Sequence, residues 1–74
     1  MGTLSDLRPG QWAVVRHLSA AGDLRRRLQD IGLIQGTMVK CVGKSPLGDP
    51  VAYRIRGATM ALRGADAKQV EVEL

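Results

Sequence analysis

The sequence predicts a mainly β domain: a small barrel of about five strands with one short helix inserted after the first strand. Three observations point to it. Turn-forming residues recur at short intervals, at Pro9-Gly10, Gly22, Gly32, Gly36, Pro46 through Pro50, Gly57 and Gly64. Between them, short stretches alternate apolar with polar side chains, the period of a half-buried strand. Only one stretch, residues 23–31, places its apolar residues at helical spacing. With 74 residues, the chain reads as a single domain over residues 1–74, a size at which burial leaves little stability to spare.

Leu4 to Leu7 reads as a helical turn, because Ser5 and Asp6 suit a local cap and Pro9 stops further growth. Gln11 to Leu18 reads as a strand, but its alternation is only half clean. Trp12, Val14 and Leu18 share a face with Arg16, while Ala13, Val15 and His17 share the other. Which face turns inward is open at this point.

Residues 23–31 predict a helix. Leu24, Leu28 and Ile31 follow the i, i+4, i+7 spacing of one apolar stripe, with Asp23 as N-cap and Gly32 as C-cap. Arg26 and Arg27 are within helical reach of Asp30, at i+4 and i+3. A helix this short needs packing to persist.

Thr37 to Lys44 predicts a strand with Val39 and Cys41 on one side and Met38, Lys40 and Val42 on the other. The segment Ser45-Pro46-Leu47-Gly48-Asp49-Pro50 predicts a tight, rigid connection. Val51 to Arg56 alternates cleanly, with Val51, Tyr53 and Ile55 inward. After a turn at Gly57, Ala58, Met60 and Leu62 form the apolar face of the next strand. A short turn or helical loop over residues 64–68 leads to a last strand, where Val70, Val72 and Leu74 alternate with Glu71 and Glu73. Five such strands suffice to close a small barrel, its interior filled by Val39, Ile55, Leu62 and Val72.

Composition narrows the function. The single cysteine, Cys41, has no bridging partner in the chain and no Cys-x-x-Cys or paired-His spacing accompanies it. That pattern suits a reducing, cytoplasmic setting. The N-terminus lacks a basic start followed by an apolar run, and no apolar stretch approaches the ~20 residues of a membrane helix. Asp6 occupies the position where a myristoylation motif wants Ser or Thr, so Gly2 reads as unmodified. A net charge of +4 raises nucleic acid as a partner. However, the eleven Lys and Arg are dispersed, and Trp12 and Tyr53 are the only aromatics, too few for a base-stacking platform. No nucleic-acid partner is expected, and a basic nucleic-acid-binding barrel is the weakest reading.

The chain does not read as an enzyme. It has one His and one Cys and no G-x-S-x-G, phosphate loop or His-Glu-x-x-His helix. The soft metal ligands are His17 and Cys41, with Asp49 or Asp66 as helpers, but Cys41 reads as core and His17 as solvated, so no metal ligands are assigned. The expected partner-binding residues are Leu47, Met60, Arg25, Arg26 and Arg27. Leu47 stands at a turn tip, and Met60 suits a shallow apolar groove between helix and barrel, against the alternative that Met38 and Met60 are both core. Arg25-Arg26-Arg27 is either the solvated face of the helix or a dock for an acidic surface, and Arg27 flanks the apolar stripe.

Taken together, Leu7 with Gly10, Arg27-Leu28, Gly32-Leu33, Gly36, Pro46, Gly48-Asp49-Pro50, Leu62-Arg63 and Asp66 resemble the FeoA family of small proteins of bacterial ferrous iron uptake. The resemblance spans nearly the whole chain. One departure is Gln35, where the family usually has a proline that stiffens the turn before Gly36. The resemblance implies an SH3-like barrel with a helix after the first strand. It implies an accessory role: binding the cytosolic, GTP-binding region of the FeoB iron permease, which would hold the chain at the inner face of the membrane. No cofactor is expected, although weak binding of Fe²⁺ or a similar transition metal, and self-association, are compatible with it. The alternative is a free-standing metal-sensing module like the C-terminal domain of iron-dependent repressors. A whole repressor is not expected, since no helix-turn-helix segment is read in the sequence.

Overall fold

In the computed structural model, which describes residues 2–74, turn chemistry and alternation produce six strands and two short helices. These are β1 (Gly2–Thr3), β2 (Trp12–Leu18), α1 (Gly22–Asp30), β3 (Met38–Lys44), β4 (Val51–Ile55), β5 (Ala58–Leu62), α2 (Gly64–Ala67) and β6 (Val70–Glu73). A 3₁₀ turn at Leu4–Asp6 follows β1, and the Asp6 carboxylate accepts from the Thr3 N–H at 2.9 Å. The strands form one antiparallel sheet in the order β1-β6-β2-β3-β4-β5.

Two expectations about the sheet are corrected. There are six strands, not five, and the hydrogen-bonded order ends at β1 and at β5 without closing. The added strand, β1, pairs Gly2 with Val72 and Thr3 with Glu71. Two residues are too few to show an alternation in sequence, which is why this strand is not legible there.

The mixed pattern of β2 has a physical cause. Ala13 and Val15 face the core, yet so does Leu18, three positions on. A bulge between Val15 and His17 in the pairing with β6 inserts one residue and reverses the side-chain parity. Trp12, which shares a sequence face with Leu18, is therefore left 51% exposed.

Helix α1 ends as the sequence predicts. Gly32 takes φ +106, its N–H donates to the Gln29 carbonyl at 3.0 Å, and the Leu33 N–H donates to the Leu28 carbonyl at 3.0 Å. This is the Schellman pattern that satisfies the last helical carbonyls. The start differs: the capping position is Ala21, and Asp23 lies inside the first turn, where its charge still complements the helix dipole. Among the described residues the ion pair is Arg16–Glu73 at 2.6 Å, and neither Arg26 nor Arg27 closes onto Asp30.

Between β4 and β5, Arg56 (φ 52) and Gly57 (φ 81) make a two-residue turn with both φ positive, the geometry that matches strand twist. Inward side chains from β2 to β6 join Leu4, Leu7, Leu28 and Leu33 in one buried cluster that holds Val39, Ile55, Leu62 and Val72, as predicted. Leu74, expected to continue the inward row of β6, is exposed.

Candidate docking groove

Helix α1 does not lie flat on the sheet. Leu28 is buried, whereas Leu24 and Ile31 on the same stripe are only half-buried against the core. The stripe extends past the core beneath it and faces β5, whose inner side carries Met60 and Leu62. A groove of about 230 Å³ results, lined by Leu24, Arg27, Leu28 and Ile31 on one wall and Met60, Ala61 and Leu62 on the other, with Asp66 of α2 at its border. Its floor is apolar and its rim carries one guanidinium and one carboxylate.

The residues expected to bind a partner divide between this groove and other places. Met60 and Arg27 line it. Arg26 is exposed on α1, and Arg25 is turned the other way, its guanidinium donating to the Leu18 carbonyl at 3.0 Å. Leu47 lies outside the groove, 93% exposed at the tip between β3 and β4. That tip is not loose: the Gly64 N–H donates to the Asp49 carboxylate at 2.6 Å, which ties it to the start of α2. Met38 is neither core nor groove, since it stands 55% exposed on the outer face of β3, opposite Val14. Sequence reasoning found the helical stripe and Met60 but missed Ala61 and Asp66. Ala61 pairs with Ala52 on the face opposite Met60 and Leu62, so it borders the groove from the strand's edge and alternation gives no sign of it.

The groups with redox or metal chemistry are kept apart. Cys41 is fully buried on β3, where desolvation pushes its thiol pKa up against the opposing pull of Lys44 and a backbone hydrogen bond. His17 is exposed on β2, where it pairs with Glu71 in the sheet and borders a separate cavity of about 110 Å³. Among the described residues, no three His, Cys, Asp or Glu side chains converge.

With this geometry in view, comparison with known proteins is direct. A model of the FeoA domain matches residues 2–74. The chain belongs to the FeoA domain family. An Fe(2+) transport protein A/Fe(2+) transporter FeoB fusion protein of Porphyromonas gingivalis is 39% identical to this FeoA-family chain over 71 residues, which are 96% of the chain and 8% of the fusion protein. The solution structure of FeoA from Chlorobium tepidum superposes with a TM-score of 0.90 at 35% identity, over 97% of this chain and 69% of that one. A zinc-complexed FeoA from Stenotrophomonas maltophilia, termed a procaryotic SH3 domain protein, superposes with a TM-score of 0.87 at 32% identity, over 99% of this chain and 91% of that one.

The departure from the FeoA pattern at Gln35 leaves the turn held by other means. The Gly36 N–H donates to the Val15 carbonyl at 2.8 Å and the Val15 N–H donates to the Thr37 carbonyl at 2.9 Å. These two bonds clamp the segment to β2 on both sides of Gly36, which takes φ +90. Among the described residues, no helix is long and apolar enough to cross a membrane.

Proposed function

We propose that this FeoA-family chain is a non-enzymatic accessory protein of ferrous iron uptake, an SH3-like domain that docks on the cytosolic, GTP-binding region of an FeoB-type iron permease. The observation that carries the reading is the Porphyromonas gingivalis fusion, in which a stretch similar to this whole chain is covalently joined to an FeoB transporter. A permanent tether makes binding between the two parts intramolecular, so a fused arrangement is useful where the parts act together. On this chain the groove between α1 and β5 supplies the apolar contact, through Met60 with Leu24, Leu28 and Ile31. Arg26 and Arg27 orient the encounter, Arg25 holds the helix against β2, and Leu47 offers a second apolar contact at the loop tip. Such docking holds the chain at the inner face of the membrane through its partner.

Docking is favoured over metal sensing because the two soft ligands sit in opposed environments, Cys41 buried and His17 in solvent. The test is calorimetric titration of the permease's cytosolic region into the chain. Met60→Asp and Leu47→Asp are each expected to weaken binding about tenfold or more, a loss on the scale of one desolvated apolar contact. The unfolding midpoint of Leu47→Asp should stay close to that of the parent chain, whereas Met60→Asp, at a side chain packed against the core, lowers it and its binding is read well below that midpoint. Absence of binding by the parent chain, or full binding by both variants, overturns the reading.

A further inference from the structure

The open sheet has two edges, and they are unlike. On one side β1 is only two residues long, Gly2–Thr3. Short strands are one of the ordinary ways of blunting an edge, along with charges, prolines and bulges. On the other side β5 runs for five residues, Ala58-Thr59-Met60-Ala61-Leu62, with no charge and no proline. Its pairing with β4 runs without a register shift, whereas β2–β6 and β3–β4 each contain one.

The register states which groups this edge offers. The two-residue turn makes Ile55 and Ala58 the first hydrogen-bonded pair, so Tyr53–Met60 and Val51–Leu62 are the next two. The N–H and C=O of Thr59 and Ala61 therefore point off the sheet, and among the described residues no other backbone hydrogen bond engages them. Both side chains are small and exposed. The groove begins along this same strand, with Met60 and Leu62 on its inner face and Ala61 at its edge.

We propose that β5 is a template for strand addition, and that the partner contributes an extended segment with an apolar residue between two acidic ones. This rests on the docking reading above and specifies how the partner is held. The incoming strand exchanges hydrogen bonds with Thr59 and Ala61. Its residue opposite Met60 then points inward, into the groove against Leu24, Leu28 and Ile31. Its two neighbours, opposite Thr59 and Ala61, point outward on the face that carries Arg54, the cross-strand partner of Thr59. Arg27 on the groove wall and exposed Arg63 at the end of β5 add positive charge, against Asp66 and the already bonded Asp49. That balance selects an acidic segment and disfavours a second copy of this chain, which would bring the same arginines face to face.

The experiment uses the permease's cytosolic region as the probe and Thr59→Pro as the main variant. Proline at 59 removes an N–H that points away from β4, so it leaves the β4–β5 ladder and the groove side chains in place. Thr59→Ala keeps the N–H and serves as its control. Expected are binding weakened roughly tenfold by Thr59→Pro and unchanged by Thr59→Ala, together with slowed amide hydrogen exchange at Thr59 and Ala61 of the parent chain in the complex. If Thr59→Pro is unstable, the exchange measurement on the parent chain decides alone. Binding lost in Met60→Asp but intact in Thr59→Pro, or unslowed exchange at both amides in the complex, overturns strand addition and leaves groove docking standing. No binding by the parent chain overturns docking itself. A concentration-dependent dimer that Thr59→Pro dissolves overturns the acidic segment in favour of a second copy.

Discussion

The Tyr53 hydroxyl donates to the Leu4 carbonyl at 3.0 Å, with both residues buried. This bond joins the middle of β4 to the 3₁₀ turn near the N-terminus, two parts of the chain separated by 49 positions. It gives a polar handle to the largest fully buried side chain, and adds a second donor to a carbonyl that already accepts from the Leu7 N–H at 3.1 Å.

Tyr53→Phe should therefore destabilise the chain by about 0.5–1.5 kcal/mol, the net worth of one hydrogen bond, because the Leu4 carbonyl keeps the Leu7 N–H as a donor. Urea denaturation followed by the fluorescence of Trp12 measures it. An unchanged midpoint would show that the Leu7 N–H alone satisfies the carbonyl.

Alkaline pH is expected to weaken the fold. Burial pushes the Tyr53 phenol up to about 12 from its ordinary value near 10, with the charges of Cys41 and Asp49 adding to the effect, and burial also raises the Cys41 thiol. Both groups hold their protons longer folded than unfolded, so stability is full below their unfolded values and falls as pH rises through the folded ones. A plateau up to about pH 9 and a decline towards pH 12 should appear in a series of denaturation curves. Tyr53→Phe removes the phenolic part of that decline while the part due to Cys41 remains.

Gly32→Ala should cost more than Gly10→Ala. Both glycines have positive φ, +106 and +91, where any side chain is strained by about 1–2 kcal/mol. At Gly10 an added Cβ meets nothing within 4 Å, but at Gly32 it would lie 3.0 Å from Arg56 Cδ and 3.2 Å from Ile55 Cγ2. Arg56 is flexible and Ile55 is core, so the end of α1 has to lift from β4. Equal losses in thermal melts of the two variants would contradict this.

Asp49→Ala removes the acceptor of the Gly64 N–H and with it the tie between the Leu47 tip and α2. A loss of about 1 kcal/mol is expected, and amide exchange at Gly64 should accelerate. Unchanged exchange there would mean that the backbone alone sets the loop.

Glu73→Gln, in contrast, should shift stability by less than about 1 kcal/mol. The Arg16–Glu73 pair is short, but its side chains are 42% and 56% exposed, and water screens such pairs. A loss of several kcal/mol in thermal melts would show a coupling that the geometry does not explain.

Much of this architecture is written in local pattern. Val51, Tyr53 and Ile55 alternate without interruption, and Gly32 marks the helix end, because both depend on the nearest few side chains. Features set by distant pairing were not legible. The Gly2–Thr3 strand exists only because Val72 and Glu71 lie beside it, and the sheet's failure to close is a property of all its strands together. Within the groove, Met60 and the Leu24–Leu28–Ile31 stripe were legible from periodicity. Arg25 was not separable from Arg26 and Arg27, because only the folded position of the Leu18 carbonyl turns it away.

The irregularity between Val15 and His17 makes β2 tolerant in one way and brittle in another. Its first half sends odd-numbered residues inward and its second half even-numbered ones, so Ala13 and Leu18 share one interior although they are five positions apart. Exchanging one side chain for another leaves that arrangement alone. Removing the extra residue there leaves one position between Val15 and Leu18, the spacing of a regular strand, so both stay inward. Removing Val14 instead forces Ala13 or Val15 outward, and length is a strict constraint in β2 everywhere except at the irregularity.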